Sequence, residues 1–72
     1  MAQKEMNLSK AEIESLIDSW IIGRNAERNR KIIKRRLLDG LTYDKLAEEF
    51  DLSVRQVKNI VYRCEESLFA HI

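Results

Sequence analysis

The 72-residue chain has no proline, only two glycines and only one cysteine. Each scarcity excludes something. With the helix breakers almost missing, and with 44% hydrophobic and 35% charged residues, the composition reads as all-α and carries too much apolar content for disorder. The lone Cys64 rules out an intrachain disulfide and a thiolate zinc site, and it fits a reducing, intracellular compartment, the cytoplasm being the expected location. Apolar runs such as Trp20-Ile21-Ile22 fall far short of the roughly 20 residues of a membrane span. No G-x-x-x-x-G-K-[ST], G-x-G-x-x-G or H-E-x-x-H pattern occurs, and His71 has no second histidine to share a metal. A chain this short also leaves no room for a substrate cavity beside a packed interior. No enzyme, cofactor or metal is expected.

What is present is unevenly distributed. The net charge of +1 conceals three blocks. Residues 1–23 hold two basic and four acidic side chains, residues 24–36 seven basic and one acidic, and residues 37–72 four basic and seven acidic. The run Arg24, Arg28, Arg30, Lys31, Lys34, Arg35, Arg36 is therefore a cationic element on an otherwise acidic chain. Such an element is either a surface for a polyanion or a solvated helix face.

Periodicity predicts four helices in a single domain over 9–72, preceded by a flexible tail over 1–8. Ser9 and Glu12 form a capping box, and Ile13, Leu16, Ile17, Trp20 and Ile21 share one face of a helix over about 10–22, with Trp20 expected in the core. Gly23 suits a left-handed stop, and Asn25 is the expected N-cap of a second helix over about 26–38. That helix turns Ala26, Ile33 and Leu37 inward, flanked by Ile32 and Leu38, and leaves its basic residues outside. Asp39-Gly40 stops it. Thr42 caps a third helix over 43–50 with Leu46, Ala47 and Phe50 inward, and Ser53 caps a fourth running to about 69. Val57, Ile60, Val61, Cys64 and Leu68 form the fourth helix's inner face, where Cys64 serves as a small buried hydrophobe.

Residues 42–62 meet the specification of a helix-turn-helix: Ala47 as the small contact residue, Leu46 and Phe50 closing the first helix, Leu52 in the turn, Val57 and Ile60 packing the second helix back. The register Leu37-Leu38-Asp39-Gly40-Leu41-Thr42-Tyr43-Asp44-Lys45-Leu46-Ala47-Glu48-Glu49-Phe50-Asp51-Leu52-Ser53, with the basic residues from Arg30 before it, resembles region 4 of bacterial sigma-70-type factors. Small sigma-like transcriptional regulators of phage and prophage origin are similar in kind. The resemblance covers about residues 27–69. It implies a double-stranded DNA reader whose helix over 53–69 enters the major groove, with Ser53, Val54, Arg55, Gln56, Lys58 and Asn59 as base-reading positions. It implies phosphate contacts for Thr42, Tyr43, Lys45, Arg63 and Arg35. The chemistry permits this, since Arg pairs with guanine O6/N7 and Gln or Asn with adenine N6/N7.

Two positions depart from the family pattern. Asp51 stands where glycine is usual, and Val54 replaces an often polar residue, leaving it to touch a thymine methyl, to pack against Leu52, or to weaken specificity. The family's other regions have no counterpart here, which implies no promoter melting by this chain alone. The rival reading is an interaction module docking on RNA polymerase or another regulator through acidic faces that include Glu48, Glu49, Glu65 and Glu66; RNA binding by the arginine-rich second helix is a third. Surplus apolar residues, Trp20/Ile21/Ile22 and Leu68/Phe69/Ile72, either cover the other helices or join a homodimer.

Overall fold

A computed structural model describes residues 9–70, and within them the chain forms α1 (Lys10–Trp20), α2 (Ala26–Leu37), α3 (Tyr43–Phe50) and α4 (Val54–Phe69). The expected tail over 1–8, His71 and Ile72 lie outside the described residues. α4 packs on α2 and α3, while α1 closes over α2 and α4 without reaching α3. Ile17, Ile32, Ile33, Leu46, Val57 and Val61 are fully buried at the centre, joined by Ile21, Ala47, Cys64 and Leu68. No polar or charged residue is buried among the described residues, so every core position is held by apolar burial at about 25 cal/mol per Å².

Three of the four helix starts follow the sequence rules. Ser9, Thr42 and Ser53 sit in extended backbone and accept a hydrogen bond from the N–H of Glu12, Lys45 and Gln56 respectively. The boxes at Ser9 and Ser53 are reciprocal, the Glu12 and Gln56 side chains accepting from the cap residues' own N–H at 2.9 Å. Asn25 is the exception. It precedes α2 as expected, but its backbone is left-handed (φ 62°) and its side chain makes no capping bond. An N-cap bond needs extended backbone, and here the residue is used instead to reverse the chain after Gly23 (φ 100°).

α1 ends at Trp20, two residues before the expected stop, because Ile21 leaves helical geometry for an extended conformation (φ −91°, ψ 94°). That turn carries the Ile21 side chain into the core. Ile21 rather than Trp20 thus completes the inner face, and the indole expected inside is 40% exposed. α2 likewise stops one residue early, at Leu37. In the turn between α3 and α4, Asp51 adopts the left-handed conformation (φ 57°) that glycine would hold more cheaply, and Leu52 N–H closes back on the Ala47 carbonyl at 2.9 Å.

None of the seven basic residues of the run is buried, as expected, but five of them are only partly exposed. Long cationic side chains can lay their stems on apolar neighbours and spend their heads on nearby acceptors, and this run does so. Arg30 donates to the Ile21 carbonyl (2.8 Å), Arg36 to the Leu41 carbonyl (2.8 Å), and Lys34 pairs with Asp18 on α1 (3.0 Å). Arg35 bridges Glu49 on α3 (2.8 Å) and Asp39 (2.9 Å), and Glu49 above all, then Asp39, raises its already high pKa. Of the seven, Arg24 and Lys31 are exposed.

Candidate nucleic-acid interface

α4 begins at the short turn 51–53 and turns Val57, Val61, Cys64 and Leu68 toward the core. Helical spacing then fixes what points away: Arg55, Asn59 and Tyr62 form the outer row, Lys58 one flank, and Gln56 and Arg63 the other. All six are exposed. Across Val54–Arg63 there is no carboxylate, and Arg55, Lys58 and Arg63 enter no ion pair among the described residues.

Lys58's flank meets the start of α3. Its ammonium lies 5.7 Å from the Tyr43 ring, the Arg36 guanidinium lies 4.4 Å from the same ring, and Tyr62 stands edge-on to Tyr43 at 6.3 Å. Both cations fall within the range of cation–π attraction. Beside this cluster Thr42 and Lys45 are exposed, and the Thr42 hydroxyl, which accepts from Lys45 N–H, still has its own proton to donate. The opposite flank borders a cleft of about 250 Å³ lined by Arg28, Leu52, Gln56, Asn59, Ile60 and Arg63.

The residues expected from the sequence therefore separate. Arg55, Lys58 and Asn59 share the exposed side of α4, with Thr42, Tyr43 and Lys45 on one flank and Arg63 on the other. Ser53 is exposed and spends its oxygen on the cap; Gln56 has given its own carbonyl oxygen to Ser53 N–H, which leaves the amide NH2. Val54 is half-buried and packs against the core. Arg35 is engaged by Glu49 on α3 and by Asp39. Tyr62, Arg36 and Arg28, none of them named individually as a contact from the sequence, also border this face. Tyr62 stands four residues after Lys58, a legible spacing, but its contact with Tyr43 and the place of Arg28 beside Arg63 are products of tertiary packing.

Cys64 is buried, and burial first, then Glu65, pushes its thiol up to about 11, so it is not a reactive centre. Among the described residues no cluster of three metal-ligating side chains occurs, and no helix is long and apolar enough to cross a membrane. Ile21 and Leu68, two of the residues offered for a homodimer, are in the core, whereas Trp20, Ile22 and Phe69 remain exposed.

No curated protein and no solved structure matches the chain significantly. The family model described as "Sigma-70, region 4" matches residues 26–68. That span runs from the first residue of α2 almost to the end of α4 and takes in more than half of the chain, with α1 lying before it. The helix-turn-helix built by α3 and α4 is accordingly of a known DNA-binding, transcription-regulating type, and the chain belongs to the sigma-70 region 4 family.

Proposed function

We propose that this domain reads double-stranded DNA in a sequence-specific way, with the N-terminal half of α4 in the major groove, and acts in transcription regulation rather than as an enzyme. The observation that carries the reading is the exposed face of Val54–Arg63, which holds three cations that enter no ion pair among the described residues and an asparagine, with no carboxylate among them. Arg55 and Asn59 stand at the centre of that face and read bases, each good bidentate pair contributing ~1–3 kcal/mol of discrimination. Lys58, Thr42, Tyr43 and Lys45 hold phosphates on one side and Arg63 on the other. Arg35 belongs to the scaffold: it ties α2 to α3 and leaves phosphate binding to its neighbours. The setting that suits such a protein is a bacterial cytoplasm, as a regulator of phage or prophage type.

The docking-module alternative is weaker on one point. Glu49, one of the acidic groups it would present, is committed to Arg35 inside the domain. Titration of the purified protein into random-sequence duplex DNA at two salt concentrations, with sequencing of what is retained, tests the proposal. Salt-dependent retention of an enriched motif supports it. No retention at low salt overturns it and moves the search to protein partners, RNA polymerase first.

A further inference from the structure

α1 and α4 finish side by side, at the end of the domain away from the start of α4. Ser67 Oγ on α4 donates to the Trp20 carbonyl at 3.4 Å, Arg30 Nε donates to the Ile21 carbonyl at 2.8 Å, and Ile21 and Leu68 enter the core at this junction. The residue after each of these two stays outside: Ile22 is 69% exposed and Phe69 53%. Each has an exposed charge close by, and the signs differ. Arg24 follows Ile22 in the connection to α2, and Glu66 stands three residues before Phe69, next to it on the surface of α4. Neither charge enters an ion pair among the described residues. We infer that this end of the domain is a self-association surface, on which a second copy of the chain docks about a two-fold axis through the α1–α4 junction, Ile22 and Arg24 of one copy meeting Phe69 and Glu66 of the other.

A two-fold contact has to complement itself, because every pairing occurs twice with the roles exchanged. A patch of one sign would repel its own copy. This one carries an apolar group with a cation on the α1–α2 connection and an apolar group with an anion on α4. Helical spacing puts Phe69 about 200° around α4 from Ser67, so the two groups lie to either side of the junction, where a half-turn about it exchanges them. The charge complementarity is therefore between one side of the patch and the other, which is what a second copy offers. Two large apolar side chains and their rims cover only part of the ~800 Å² per partner of a standard interface, which makes the contact weak, with a dissociation constant on the order of 10–100 μM. The first turns of α4 stay uncovered, since Asn59 lies roughly 15 Å back along the helix from Phe69. The contact needs no DNA, and the inference does not depend on the reading proposed for α4.

Sedimentation equilibrium of the whole chain without DNA, from about 1 μM to about 1 mM, tests this. The mean mass should climb from that of one chain toward that of two. Arg24→Glu and Glu66→Arg change exposed positions, and each variant is checked first for an unchanged helical spectrum. Each alone sets like charges against one another at two symmetry-related places and should weaken association about tenfold or more. Combined, the two reversals restore opposite charges and should return the dissociation constant to within about threefold of the parent's. A mass that stays at one chain throughout the range overturns the inference. So does association that both single reversals leave unchanged, or a combined variant no tighter than the singles, because the copies would then be meeting somewhere else. Retention of duplex DNA, measured separately, decides the reading of α4 and has no bearing on this result.

Discussion

At the scale of single residues, the division between reading and holding is testable by truncation. Arg55 is exposed and in no ion pair among the described residues, so Arg55→Ala should leave the melting temperature unchanged within about 0.5 kcal/mol of stability. It should relax preference at one base pair by roughly 1–3 kcal/mol, read from selection on randomised duplexes. Arg35→Ala should do the reverse: it loosens α3 from α2 and lowers the melting temperature, while the salt slope of DNA binding stays that of the parent. Cys64 gives a pH signature. Its thiol pKa is raised from 9.0 to about 11 because the fold shelters the neutral form. That contribution is complete below pH 9 and is lost as pH rises through 11. Urea titrations between these values should therefore show the parent losing more stability than Cys64→Ala. The exposed row of α4 was legible from helical spacing alone. The fate of Arg30, Lys34, Arg35 and Arg36 was not, because their acceptors on α1, α3 and the connecting loops come near only through packing, and a charge run carries no sign of what it will meet.

Among the elements, the starts and stops of the helices follow from local chemistry wherever a side chain can reach its own backbone. Ser9, Thr42 and Ser53 were recognisable for that reason. Ser53→Ala should cost about 1 kcal/mol by removing the cap of α4, measured as a shift in the urea midpoint. Asn25 looked the same in sequence and behaves differently, since the tight reversal after Gly23 demands a left-handed backbone there and asparagine tolerates one. The end of α1 was misplaced for a related reason: whether Trp20 or Ile21 goes inside depends on where α2 and α4 lie, not on the period of α1. Asp51 holds the turn at φ 57°. Asp51→Gly should relieve that strain and raise stability by up to about 1 kcal/mol without altering DNA binding, the gain being partly offset by glycine's greater freedom when unfolded.

For the whole molecule, a chain of this length has roughly 4–11 kcal/mol of stability to lose. Ile33 is fully buried at the centre of the core, so Ile33→Ala should cost about 2–5 kcal/mol and leave a substantial unfolded fraction at 37 °C by circular dichroism. The all-α architecture and the identity of most core residues were readable from composition and period; which apolar residues would stay outside, Trp20, Ile22 and Phe69 among them, was decided by how the described helices pack on one another. The connections between those helices span only residues 21–25, 38–42 and 51–53, and no prolyl bond occurs in any of them. Helices joined so closely find their neighbours after small loop closures, and nothing must isomerise first. Refolding from denaturant should thus run as a single exponential on the microsecond-to-millisecond scale, and a copy unfolded by chance would regain α4 far sooner than a protease could cut it.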